Sequence, residues 1–150
     1  MKAGNTPLIR RATVDESDEI ARVHRASKET AMPFLPALHT DEDDRIFFRA
    51  RVFPACQVWV ADNGGIVGFI ASREGWVDHL YVLPHHARQG YGRALLDKAK
   101  ERNSHLQLWT FQRNLNAIAF YKANGFCLVR ETDGAGNEER EPDALFAWSR

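Results

Sequence analysis

Only two of the 150 residues are cysteine, and both Cys56 and Cys127 stand among apolar neighbours. So few thiols build neither a disulfide framework nor a cysteine-rich metal site. The pair reads as small buried hydrophobes of a reducing compartment, so the expected location is the cytoplasm. Neither charge is in excess: Lys plus Arg and Asp plus Glu are 20 each, and the formal net charge is zero. The halves balance as well, with 10 basic and 11 acidic residues in 1–75 and 10 and 9 in 76–150. That argues against a nucleic-acid binder working through a broad basic surface, and against an acidic tail. No apolar run approaches the ~18 residues of a membrane span. Residues 1–7 lack the apolar stretch of a signal peptide. Repeats, linkers and low-complexity segments are missing, and no His/Cys/Asp cluster has metal-ligand spacing, so no metal is expected.

What is present suits one domain over residues 1–150, long enough to hold a core without staples. Residues 8–12 read as a short strand. Thr13 or Asp15 then caps a helix whose acidic start suits its positive end and whose apolar stripe is Ile20, Val23, Ala26 and Ala31. The segment Met32-Pro33-Phe34-Leu35-Pro36 cannot continue it and reads as an apolar loop of lid or pocket-wall type. Thr40 and the acids after it open a second helix to about Val52. Two β-rich runs, 57–61 and 66–71, flank Asn63-Gly64 as a hairpin, and a third run, 75–83, stops at Pro84. Helices follow at 90–103 and 114–124, the latter ended by Gly125, and strands at 105–111, 126–132 and 145–148. The order βααβββαβαββ predicts an α/β (α+β) fold. It has a mixed central sheet of about seven strands flanked by about four helices.

The sharpest local pattern is a strand ending at Val82, a break at Pro84, and Arg88-Gln89-Gly90-Tyr91-Gly92-Arg93 turning into a helix with Leu95-Leu96. Glycines at 90 and 92 clear side chains from N–H groups that must face a ligand. The helix start adds unpaired donors and a positive dipole end suited to phosphate. No Ser, Thr, Asp or Asn caps this helix. The loop is neither a Walker loop nor a Gly-x-Gly-x-x-Gly.

Val82-x-Pro84 followed by Gly90-x-Gly92 resembles the acetyl-CoA signature of the GNAT superfamily of N-acetyltransferases. The block Asn114-x-x-Ala117-x-x-Phe120-Tyr121-x-x-x-Gly125-Phe126 is similar to a second motif of that family. The likeness covers about residues 8–148, including the element order. It departs from the family at Ala87, where Gln or Arg is usual, leaving open whether Arg88 or Arg93 supplies the charge.

The resemblance implies a GNAT fold and acetyl transfer from acetyl-CoA to a primary amine of a small molecule or peptide, by direct attack in a ternary complex. It implies that Leu80, Tyr81 and Val82 hydrogen-bond the pantetheine arm and that Arg88, Gln89, Gly90, Tyr91, Gly92 and Arg93 hold the pyrophosphate. Asn114 would reach the cofactor, cap its own helix, or both. Tyr121 matches the general acid. A phenol of pKa ~10 is weaker than a thiol near ~8.5, so full proton transfer to the departing sulfur is uphill by about 2 kcal/mol. A hydrogen bond to it is the easier role.

The base is not settled by the motif. Where some relatives place a glutamate, this chain has Trp76. Asp78 shares that strand face by the two-residue period and is the expected base, directly or through water. His79 has the better intrinsic pKa but is expected on the opposite face. Phe34, Leu35, Trp76 and Trp109 are candidates for an aromatic acceptor wall, and Glu138, Glu139 and Glu141 for attracting a cationic amine. A non-catalytic acetyl-CoA-binding module and a transferase using another acyl-CoA remain alternatives, and a homodimer is left open.

Overall fold

A computed structural model of the chain describes residues 8–150; residues 1–7, and with them the reading that no signal peptide opens the chain, lie outside the described residues. Strands β1 (Leu8–Arg11), β2 (Gln57–Asp62), β3 (Ile66–Arg73), β4 (Trp76–Val82), β5 (His105–Phe111), β6 (Cys127–Glu131) and β7 (Asp143–Ser149) form one sheet. Their spatial order is β1-β2-β3-β4-β5-β7-β6. Helix α1 is Ser17–Ala31. Helix α2 (Asp41–Phe47) runs on through a π turn at Phe48–Val52 into the single turn α3 (Phe53–Ala55). Helices α4 (Tyr91–Glu101) and α5 (Leu115–Ala123) complete four helical stretches in the expected order.

Adjacent residues Phe69 and Ile70 of β3 enter different cores, as the strand period requires. One core gathers Ile20, Ala21 and Val23 of α1 with Phe48 and Val52 onto Val58, Val60 and Phe69. The other gathers Leu95 and Leu96 of α4 and Tyr121 of α5 onto Ile70, Val77, Leu106 and Phe146. The sheet is therefore sandwiched between α1–α2 and α4–α5. The α1 stripe differs from expectation. Ala26 and Ala31 are exposed, while Ser17, His24 and Ser27 join Ile20, Ala21 and Val23 inside. The thiols differ too: Cys127 is exposed on edge strand β6 and Cys56 is half-buried.

Two irregularities position the site. First, β4 and β5 pair in parallel only at Trp76↔Gln107, and beyond that rung they part. Second, Ser72 pairs with Val77 while the next residue back, Ala71, pairs with His79. Asp78 is thus the extra residue of a β-bulge, which breaks the strand alternation. Val77 and Leu80 pack on the α4 side. Tyr81 packs on the α1 side, and the His79 ring lies 5.4 Å from that of Phe48. The expectation that His79 points away from the acceptor face is overturned by this one-residue slip.

Candidate active site

Where β4 and β5 part, a cleft of about 570 Å³ opens. Leu80, Tyr81 and Val82 line one wall, Asn114, Phe120 and Tyr121 the other, and Arg88, Gly90, Gly92 and Arg93 the far end. Two residues of the expected set stand apart from it. Gln89 turns its amide toward the His85 carbonyl (3.4 Å), and Tyr91 is buried in the α4 core.

The loop end is built to receive an anion. Gly90 is the N-cap of α4 with φ +87° and offers no capping side chain. A Cβ there meets nothing within 4 Å, so the loop surface is open on that side. At Gly92 a Cβ would stand 3.3 Å from the Phe120 ring, so α4 and α5 approach closely only because glycine is there. The first intrahelical bond runs from Ala94 N–H to Gly90 C=O (3.0 Å), leaving the preceding N–H groups without helical acceptors. Arg88 adopts φ +62°, bringing a cation to the same turn. The Ser27 hydroxyl and His86 Nδ1 line this cleft, buried and without a hydrogen-bond partner among the described residues. Open donors, two cations and orphaned polar atoms fit the phosphates and amides of a CoA thioester.

Tyr121 faces this cleft and also a narrow slot of about 90 Å³, lined by Met32, Asp78, His79, Tyr81, Trp109 and Phe111 among others. Burial raises the Tyr121 phenol above its ordinary pKa, with neighbouring Tyr81 adding to it. Burial likewise pushes Tyr81 up to about 12, with Glu139 adding to it. Both are proton donors at neutral pH. Burial lowers His79 to about 4 against the opposing pull of Asp78, and the part of its ring that is not enclosed lines the slot. Burial lowers His24 to about 3, with His79 adding to it. Both imidazoles are neutral in the physiological range. Asp78 also lines the slot, but Arg73 Nε and Nη2 donate to its two oxygens at 2.7 and 3.1 Å, and the Cys56 thiol donates at 3.5 Å. Asn114 caps α5, its Oδ1 accepting from Ala117 N–H at 3.3 Å, while lining both cavities.

Three loops are strapped together by side-chain contacts. The Arg113 guanidinium lies 4.1 Å from the Phe34 ring centroid. It also donates twice to Glu141 at 2.8 Å. His39 Nε2 meets Glu138 at 2.5 Å. The α1–α2 loop is thereby tied to the β6–β7 loop. Of the expected aromatic wall, Trp109 lines the slot, Phe34 is held under Arg113, and Trp76 lies under Arg73 at 5.4 Å. Leu35 is half-buried and lines none of these cavities. Glu138 is engaged by His39 and Glu141 is ion-paired with Arg113, so neither is free to attract an amine.

The family model for the acetyltransferase (GNAT) domain matches residues 54–127. The chain is 31% identical over 144 residues to the peptidyl-lysine N-acetyltransferase YiaC of Escherichia coli K12, covering 94% of this chain and 96% of that one. It belongs to the GNAT family of acetyltransferases. Its fold matches the solution structure of apo YjaB from Escherichia coli with a TM-score of 0.79 at 25% identity, over 95% of this chain and 97% of that one. It also matches YncA of Salmonella typhimurium, solved with acetyl-CoA, with a TM-score of 0.70 at 16% identity, over 96% and 94% of the chains. The seven-stranded mixed sheet with flanking helices is the GNAT fold, and the chain is an acetyl-CoA-dependent N-acetyltransferase.

Sequence reasoning missed several residues of this GNAT site. Ser27 carried a signal, since it follows Ile20, Val23 and His24 at helical spacing and so belongs on the buried stripe. Arg113 and His39 carried none, because their partners are brought together only by tertiary structure. Among the described residues, no group of three His, Cys, Asp or Glu side chains is disposed to hold a metal ion.

Proposed function

We propose that this chain transfers the acetyl group of acetyl-CoA to the side-chain amine of a peptidyl lysine, by direct attack within a ternary complex. One observation carries the reading: the cofactor-sized cleft and the narrow slot share Leu80, Tyr81, Asn114, Ala117 and Tyr121, so two molecules entering from opposite sides meet at one phenol. The slot has room for about three water volumes, enough for a short run of methylenes bearing an amine. The peptidyl-lysine N-acetyltransferases among its relatives support that acceptor class.

Acetyl-CoA, when bound, supplies an activated acetyl group as a thioester. Leu80 to Val82 present a strand edge to its arm, and the Arg88–Arg93 turn takes its phosphates. Freeing a lysine amine at neutral pH costs about 4–5 kcal/mol from the intrinsic pKa, and a dry slot lowers that cost by disfavouring the ammonium. The bulge moves the proposed proton acceptor from Asp78 to its neighbour. His79 offers a neutral ring in the slot that can accept a hydrogen bond from the amine, its lowered pKa favouring that bond over full proton transfer, while Asp78 has both oxygens engaged by Arg73. Tyr121 donates a hydrogen bond where sulfur departs. Its raised pKa makes full proton transfer less favourable and the bond itself the contribution.

The same proposal takes residues 1–150 as one transferase domain of the cytoplasm, with neither nucleic acid nor membrane as partner. Balanced charge and two free cysteines support it, and among the described residues no helix is long and apolar enough to cross a membrane. Release of CoA thiol with a lysine peptide, and none with the same peptide carrying acetylated lysine, is the expected result. Acetyl-CoA binding without turnover on any amine would show a binding module instead, and turnover with another acyl-CoA alone would change the donor.

A further inference from the structure

The slot opens onto a groove of about 560 Å³ on the face of β5, β7 and β6 that no helix covers, and the two share Trp109, Thr110 and Phe111. Resting on the peptidyl-lysine reading, we propose that this groove reads a carboxylate side chain flanking the acceptor lysine, through Arg130 stacked on Trp109.

Trp109 of β5, Leu145 of β7 and Arg130 of β6 lie on one rung of the sheet. A slip in the β6 register beside Val129 brings Arg130 to that rung, and its guanidinium carbon lies 5.4 Å from the Trp109 ring centroid. Stacking holds the cation in place and leaves its in-plane donors free. Among the described residues the Arg130 side chain has no ion pair and no hydrogen bond, whereas that of Arg113 is committed to Glu141. The acid of the same groove, Asp143, is occupied on both oxygens: Oδ1 accepts from the Thr132 hydroxyl and Oδ2 from Asn137 Nδ2 at 3.2 Å. Asp143 keeps its charge but has its oxygens engaged by neutral donors, whereas the Arg130 guanidinium is the cation of the groove without a partner among the described residues, and the complement of its planar donors is a carboxylate.

The spacing fixes where that carboxylate sits. Trp109 walls the slot, and the Arg130 guanidinium lies 5.4 Å from its ring centroid. An extended peptide advances about 3.3 Å per residue and returns to the same face every second one, so an acid that meets this guanidinium stands two or three residues from the lysine. Trp109, 41% exposed, gives the intervening residue an aromatic floor.

The test uses the full chain, saturating acetyl-CoA, and lysine peptides with Glu, Gln or Lys two or three residues to either side of the acceptor, read as kcat/KM. Glu at one of these positions is expected to exceed Gln by about three- to fivefold, with the effect in KM and fading with salt. In Arg130→Gln the Glu-to-Gln ratio falls to about one, and Arg130→Lys restores part of it. Equal rates for Glu and Gln peptides, a preference for Lys, or a Glu preference that survives in Arg130→Gln would overturn the proposal while leaving lysine acetylation standing. No turnover of any lysine peptide would overturn the lysine reading and this inference with it.

Discussion

The rings of His24 and His79 meet edge to face, with centroids 5.6 Å apart and planes at 84°. Two imidazoles from α1 and β4 are thus packed together without charge, since burial holds them at about 3 and about 4. In the unfolded chain both return to about 6.5. Their stabilising effect is therefore whole above about pH 6.5 and is lost as pH falls toward the folded-state values, because the unfolded chain binds protons first. At pH 5 each costs about 2 kcal/mol relative to neutrality. Tm should fall clearly between pH 7.5 and pH 5. His24→Phe, which keeps the ring contacts with Phe48 and Tyr81, should reduce that fall. An unchanged pH slope in the variant would speak against the pair as its source.

The bulge assigns different duties to its two polar residues, and kinetics can separate them. His79→Gln should lower the rate near neutrality by about 10- to 100-fold and recover as pH nears the amine's own pKa. Asp78→Asn should release Arg73 and cost less, without changing the shape of the profile. If Asp78→Asn alone reshapes the pH–rate curve, the proton goes to the carboxylate.

Gly90 carries φ +87° in open space. Gly90→Val should cost about 1–2 kcal/mol of stability from the left-handed backbone. It should also raise the acetyl-CoA Kd at least about tenfold, or 1.4 kcal/mol. The added Cβ meets no protein atom within 4 Å, so the lost affinity would be that of the proposed phosphate surface. Calorimetric titration of the folded variant giving the wild-type Kd would remove the phosphates from this loop.

Tyr121→Phe keeps the edge-to-face contacts with Phe120 and Phe126 and deletes the donor. We expect kcat to fall roughly 10²-fold, with Tm nearly unchanged and the acetyl-CoA Kd little moved, because the lost bond forms mainly at the transition state. Near wild-type kcat on a good lysine peptide would remove Tyr121 from the chemistry.

The element order was legible because local signals agree with the fold. Thr40 caps α2, Asn114 caps α5, and Gly90 and Gly125 adopt positive φ where turns were read. The cleft was legible for a different reason, since two motif blocks on separate elements named both of its walls. What escaped depends on pairings that no local pattern encodes. Nothing in Trp76-Val77-Asp78-His79 marks Asp78 as the unpaired residue, and that one slip brings His79 to the α1 side, where it lines the slot together with Asp78. Cys127 looked buried among apolar neighbours, yet β6 is an edge strand that neither core covers. The stacking of Arg130 on Trp109 likewise joins residues 21 apart across an intervening strand.

The parting of β4 from β5 puts unpaired strand edges in the middle of a sheet. Ordinarily such an edge is a template on which another chain can add itself, and proteins blunt it with charge, proline or a covering element. Here the protection is depth. Ser27 and Ala31 of α1 stand on one side of the gap and Ala117, Phe120 and Tyr121 of α5 on the other. A polypeptide strand would bring side chains against both of these walls. A slender unbranched arm carrying its own amides would not. The crevice proposed for the donor is thus also one that shields the protein against strand-by-strand self-association.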